Sequence, residues 1–371
     1  MIFDLSLSPT PTDPFEPLPF CPPAILVGRD GLPAQPNQIV SEEWLRARAD
    51  ANTLPPEDSV QNPAIPDPEY PIRISWDGIL VDDPGFNGGQ LHQEDIVRRT
   101  REVLRVLWTD KALDIEQEAC EILGVADLRT YFRKGFFPDH IKRYSKSRRK
   151  APIYWQLSTA SGAYSVWLYY HRFTKDTFYK LLNEYVNPKL QFEERELTSA
   201  RQQYGQSPTA SQRKEIAGRE TFVEELRAFR EEVGRVAQLW NPDLNDGVII
   251  NFAPLWRLVP QNKSWQKECK KVWDKLVNGD YDWAHLAMHL WPERVVPECT
   301  ADRSLAIAHG LDDALWEEDE KGKWHAKEIS KETLNVLIQE RTSATVKAAL
   351  EELLNASVAN GSGRRRTKRK S

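Results

Sequence analysis

Sulfur is scarce in this chain, with only 2 methionines and 4 cysteines in 371 residues. The cysteines, Cys21, Cys120, Cys269 and Cys299, lie far apart without a CxxC pair. That argues against a zinc site or a disulfide framework and fits reduced thiols in a cytoplasm. No apolar run approaches the length of a membrane span, and Met1-Ile-Phe-Asp-Leu-Ser6 lacks the cationic start and apolar core of a secretion signal. A cytoplasmic protein with no membrane partner is the expectation. There is no Walker loop and no Gly-x-Ser-x-Gly elbow.

Also missing is the (Asn/Asp)-Pro-Pro-(Tyr/Phe) tetrapeptide whose polar groups and ring would hold a flipped base during methyl transfer. Asp67-Pro-Glu-Tyr70 and Asp83-Pro-Gly-Phe86 each lack the second proline. Asp82-Asp-Pro-Gly-Phe-Asn-Gly-Gly89 looks like a loop for S-adenosylmethionine, but its glycines are out of register, and no strong buried strand is expected before it. A net charge of −5 rules out a chain that is basic throughout. Positive charge is concentrated instead at 142 to 150 and at Arg364-Arg-Arg-Thr-Lys-Arg-Lys370, so local patches would have to hold any polyanion.

What is abundant is tryptophan, at 13 residues, which supplies large rigid groups for cores and interfaces. Prolines are crowded: about 15 of the 25 fall in residues 1–71, a density that prevents helix and sheet ladders and predicts an extended arm.

The chain centres on Arg148 to Phe173. The cations Lys142, Arg143, Lys146, Arg148, Arg149 and Lys150 lead into Ile153-Tyr-Trp-Gln-Leu157, a Ser/Gly break and a second strand-type run from Ala163 to His171. This predicts a β-hairpin with a cationic approach. Alternation puts Ile153, Trp155 and Leu157 on one face with Tyr164, Val166, Leu168 and Tyr170, and leaves Tyr154, Gln156, Trp167, Tyr169 and His171 on the other. Such a hairpin is either buried on both faces or presents rings to a partner. Cations beside exposed rings suit nucleic acid: the cations neutralise phosphates, while Tyr154, Trp155, Gln156 and His171 are the candidates near bases.

In chain order, the arm at 1–71 precedes a helical segment at 72–150. That segment has a helix capped by Asp95, others over Ile115 to Leu123, ended by Gly124, and Asp127 to Arg133, and the basic run at its end. Residues 151–189 hold the aromatic hairpin and a helix from Lys175 that Asn187-Pro188 should stop. Residues 190–240 read as an antiparallel charged helical pair, a spacer split at Gly205-Gln-Ser-Pro208, with Phe222, Leu226, Phe229, Val233, Val236 and Leu239 recurring at threes and fours in the second arm. A Trp-rich helical region follows at 241–315, then 316–371 with a polar break, a last helix over Lys327 to Val358 and a basic tail. The fold class is mainly α with a small β-hairpin or sheet (α+β), a helical scaffold with a long antiparallel helical pair.

Two constellations invite chemistry. His285 and His289 share a helix face as metal ligands would, though no glutamate follows the first histidine; a packed, hydrogen-bonded pair is the alternative. Pro242-Asp243 with Glu268-Cys-Lys270 matches a bare nuclease pattern, but Glu268 and Lys270 fall in a helical stretch, where residues two apart diverge by about 200°. Neither assigns a catalytic or metal-binding residue.

Several blocks resemble the C-terminal part of the PglX-type adenine-specific DNA methyltransferases of BREX phage-defence systems. They are Lys150-Ala-Pro-Ile-Tyr-Trp-Gln-Leu through His171, Pro242-Asp-Leu-Asn-Asp-Gly-Val248, Ala253-Pro-Leu-Trp256, Gly279-Asp-Tyr-Asp-Trp-Ala-His285, Trp291-Pro-Glu-Arg294 and Ser304-Leu-Ala-Ile-Ala-His-Gly310. The Asp95-Ile-Val-Arg-Arg99 helix and the Tyr131 to Phe137 segment are similar to the family's region upstream. The resemblance covers roughly 72 to 312. It implies a region that engages DNA, recognises a target and acts as a scaffold, without the catalytic domain that holds S-adenosylmethionine. No catalytic residue carries over and no cofactor is expected on this chain. The implied partners are double-stranded DNA and a separate methyltransferase catalytic subunit or other defence proteins. A protein-interaction scaffold without direct DNA binding, and more remotely a nuclease, are the alternative functions.

Overall fold

The computed structural model describes residues 77–85, 92–146 and 149–356, except the side chains of Lys146 and Arg149. The Pro-rich arm, Cys21, Arg148 and the basic tail lie outside these residues. Over the described residues the chain is mainly α with small antiparallel β elements.

The predicted hairpin forms. Strands β4 (Tyr154–Ser158) and β5 (Ser165–Tyr169) pair antiparallel, with Trp155 opposite Leu168 and Gln156 opposite Trp167. Strand β1 (Ile79–Asp82) adds to the far side of β5, so β5 is central. The expectation that no buried strand precedes the 82–89 loop is therefore overturned: Ile79 and Val81 supply the alternating apolar positions that a strand against a core needs. The misregistered glycines remain the ground for rejecting a cofactor loop there.

Both faces of the sheet are covered. On one, Trp155 meets Phe252 edge-on at 4.0 Å between centroids, and Tyr164 packs on Phe229 of the long helix at 6.1 Å. On the other, Trp167 lies 5.0 Å from Phe136 and 6.1 Å from Phe137. Of the two hairpins the alternation allowed, the one buried on both faces is found along most of its length.

Helix α1 (Ile96–Trp108) starts where Asp95 accepts hydrogen bonds from the Val97 and Arg98 amides, as predicted. Helix α2 (Ala112–Leu123) ends at Gly124, whose φ of 65° suits a residue without Cβ. Helix α3 (Leu128–Tyr131) continues through a π-helical turn, Phe132–Phe136, into α4 (Phe137–Arg143).

Asn187-Pro188 does not stop its helix. Helix α5 (Thr177–Lys180) widens into a π-helical turn at Leu181–Val186 and continues as α6 (Asn187–Tyr204), with proline in the first turn of the new register. Proline is tolerated there because its missing N–H is not demanded. Helix α7 (Ala210–Leu239) returns antiparallel to α6 and buries Leu226, Phe229, Val233 and Val236, the stripe read from the sequence.

After α8 (Val248–Phe252) and α9 (Lys263–Asn278) come two short helices, α10 (His285–Leu290) and α11 (Pro292–Cys299), then α12 (Arg303–Ala308) and α13 (Asp312–Leu315). The break at 316–323 contains a strand instead of being irregular throughout. Trp316–Glu318 pairs with Trp324–Ala326, and the Arg303 guanidinium lies 3.6 Å from the Trp324 ring centroid. The expected last helix is two, α14 (Lys331–Arg341) and α15 (Ala344–Asn355), because Ser343 takes an extended backbone and caps the second through the Val346 amide.

A buried ionic network fixes β1 to the helices. The Asp95 carboxylate receives the Asp83 amide at 3.0 Å and both Arg129 guanidinium nitrogens at 2.8 Å, while Asp82 accepts from Arg129 and Arg133. Lys189 of α6 reaches Asp83 and Glu193, each at 2.7 Å. Removing one partner of such a pair leaves an uncompensated charge, so Asp95→Ala should lower stability by about 3 kcal/mol or more in urea unfolding. Exposed Arg98→Ala, by contrast, should cost under about 1 kcal/mol.

Candidate nucleic-acid interface

The basic run occupies the end of α4 and a small hairpin of β2 (Ser145–Lys146) and β3 (Arg149–Lys150), in which Ser145 faces Lys150 and Lys146 faces Arg149. Lys142 and Arg143 are exposed. Lys150 is partly buried and paired with Glu268 of α9, so its charge is already answered within the fold. Burial on both sheet faces also decides where the rings stand. Trp155 is 0% exposed and donates its indole N–H to the Pro152 carbonyl at 3.0 Å. Gln156 is 2% exposed, its amide within 3.4 Å of the Ser165 hydroxyl and its backbone carbonyl receiving the Gln261 side chain. The expectation that these two lie near bases is corrected: both are core residues in the interior of the sheet, where no base reaches them.

Tyr154 and His171 fare differently. They belong to a row of rings that runs from α4 across the end of the sheet. The Tyr144 ring is 4.5 Å from His140, His140 is 5.4 Å from Tyr154, Tyr154 is 5.1 Å from Tyr169, and Tyr169 is 5.4 Å from His171. Tyr144 and His171 are exposed, and Tyr154 and Tyr169 are half-buried. The row includes Tyr144 and Tyr169, which the sequence candidates omitted. Tyr144 sits inside the basic run, and alternation had placed Tyr169 beside Tyr154, so the signal for both was present.

His140 holds the row in place. Its Nε2 accepts the Tyr154 amide at 2.9 Å, which fixes the ring as neutral with the proton on Nδ1. Burial, reinforced by Arg143, pushes its pKa down to about 4. Burial also lowers the pKa of His171. The positive charge at this surface is therefore supplied by Lys142 and Arg143 and not by histidine.

The other sequence candidates are dispersed. Glu268 and Lys270 lie on α9, where Lys270 pairs with Asp274 and Glu268 with Lys150, while the Asp243 backbone amide binds Asn251. His285 and His289 lie on α10, and among the described residues no three His, Cys, Asp or Glu side chains are grouped so as to hold a metal ion. Cys120, Cys269 and Cys299 are free and buried. No helix among the described residues is long and apolar enough to cross a membrane.

No protein-family model matches the chain. It is 27% identical over 189 residues to the adenine-specific methyltransferase PglX of Lacticaseibacillus casei (strain Zhang), an alignment covering 47% of this chain and 15% of that protein. The similarity supports a relation to the PglX methyltransferases, of which this chain matches a minor part.

The low pKa of His140 has a consequence for stability. Its ordinary value is near 6.5, and in the fold it is about 4, so protonation favours the unfolded chain. The stabilisation is complete above about pH 6.5 and is lost as the pH falls toward 4. It amounts to about 2 to 3 kcal/mol for a shift of this size. In urea titrations at pH 7 and pH 4, His140→Gln, which keeps an acceptor for the Tyr154 amide but cannot titrate, should lose less stability on acidification than the unsubstituted protein by that amount.

Proposed function

We propose that this chain is a DNA-recognition and scaffold element related to the C-terminal part of PglX-type methyltransferases, working in phage defence with a separate catalytic chain that holds S-adenosylmethionine. The observation that carries this reading is the row of rings from Tyr144 to His171 beside exposed Lys142 and Arg143. In a duplex the base faces are stacked on one another, so rings of this kind touch sugars and base edges in a groove, and the adjacent cations neutralise phosphates. The similarity to a PglX methyltransferase and the matching blocks from Lys150 to Gly310 support it. Lys142, Arg143, Lys146, Arg148 and Arg149 hold the backbone of double-stranded DNA, and Tyr144, Tyr154, Tyr169 and His171 approach the bases. Lys150 serves the fold through Glu268.

A second reading, a scaffold that binds defence proteins and not DNA, is favoured by Leu113 and Ile122, apolar side chains exposed on α2 by 71% and 78%. Fluorescence anisotropy of duplex DNA across a salt series separates the two. Five neutralised phosphates predict a log–log slope near about −4.5, and Lys142→Ala with Arg143→Ala should reduce its magnitude by about 2. Salt-insensitive or absent binding, with stable co-purification of a protein partner, would select the scaffold.

A further inference from the structure

Remote in sequence from the basic run, a half-open cavity of about 550 Å³ is lined by Asp243, three histidines (His285, His289, His309), Met288 and Arg341. Each histidine has one ring nitrogen bound to an acceptor of the protein. His285 directs Nδ1 at the Asp246 carboxylate at 3.0 Å, and the same carboxylate accepts the His285 and Leu286 amides. His289 donates to the Leu239 carbonyl. His309 Nε2 donates to the Asp282 carbonyl at 2.6 Å, since a carbonyl can only accept. Burial lowers the pKa values of His289 and His309, so both rings are neutral near pH 7, each with a second nitrogen left as an acceptor. His309 Nδ1 is enclosed by the protein without a hydrogen-bond partner among the described residues, so this nitrogen does not open on the cavity.

The acceptors that open on the cavity are therefore imidazole nitrogens of His285 and His289 and the Asp243 carboxylate. The lining also contains one cation, Arg341 of α14, whose guanidinium donates to the Leu337 carbonyl at 3.1 Å and lies 3.6 Å from the exposed Glu340 carboxylate. Imidazole and carboxylate acceptors spaced around a cavity suit the spaced donors of an organic molecule. Met288 and Pro242 offer apolar surface to a planar ring, and the volume is within the range of small-molecule pockets.

We propose that this cavity binds a ribonucleoside monophosphate, its phosphate on Arg341, its ribose hydroxyls and base amino group donating to Asp243, His285 and His289. A free nucleotide and a nucleotide at the end of a strand present the same chemistry. Carboxylates commonly take ribose hydroxyls, and a guanidinium suits a phosphate, so each half of the ligand meets the group that would recognise it.

Calorimetric titration of the full chain with AMP, adenosine and inorganic phosphate tests the assignment. AMP should bind at least about tenfold more tightly than either fragment, the equivalent of about 1.4 kcal/mol. Arg341→Met should weaken AMP by about tenfold and leave adenosine unchanged, whereas Asp243→Asn should weaken both. Because Asp243 also accepts the Asn245 amide, His285→Ala serves as a second variant should Asp243→Asn disturb folding. In the unsubstituted protein, AMP should shift the ring resonances of His285, His289 and His309 and leave those of His140 in place. Competition by a short oligonucleotide assigns the ligand to a strand end, and its absence assigns a free nucleotide. No AMP binding at millimolar concentration, phosphate binding as well as AMP, or affinities unchanged in both Arg341→Met and the acceptor-side variant would overturn the proposal.

Discussion

The fold depends on β5 being buried on both faces. A central strand with helices above and below it must carry apolar side chains at every position, and Ser165-Val-Trp-Leu-Tyr169 nearly does. Its two tryptophan-bearing neighbourhoods connect segments distant in sequence. Trp155 on β4 draws in Phe252 and Trp240, and Trp167 draws in Phe136 and Phe137, with Phe137 touching Trp265 in turn. The same packing has a cost. The indole nitrogens of Trp167, Trp256 and Trp265 are buried without a partner among the described residues, an unfavourable contribution of about 1 to 3 kcal/mol each. Large ring-to-ring contact areas offset it.

That constraint also determines which rings can meet a ligand. A ring in the middle of the sheet is enclosed by helices; a ring at the end of the strands is not. Tyr154 and Tyr169 face each other in the last strand pair before the sheet ends, and the neutral His140 links them to Tyr144 and the exposed cations of α4. The candidate interface is thus an edge feature of the sheet, and its charge and its aromatic surface come from different elements. Its position rests on the Asp95 network in addition to apolar packing, because that network anchors α3, from which the π-helical turn and α4 follow.

Much of this is legible in the sequence. Asp95 as a cap, Gly124 as a helix end, the α6–α7 pair and the strand alternation follow from local rules of capping, left-handed glycine and periodicity, and all four appear. The failures are equally physical. Asn187-Pro188 was misread because a π-helical turn re-registers the backbone, and nothing local announces it. β1 was missed because four residues are too few for a periodic signal, although tertiary pairing with β5 stabilises them.

The sequence by itself determined that Arg148 to Phe173 is a cationic approach to an aromatic hairpin, because charge runs and period-two alternation are properties of neighbouring residues. Only the tertiary structure decided which of those residues face outward. Trp155 and Gln156 look as available as Tyr154 and His171 in the sequence, yet helices far away in the chain cover the first two and leave the ends of the row accessible. Likewise Lys150 is answered by Glu268, and His285 and His309 line one cavity, through contacts between distant segments that no local pattern encodes.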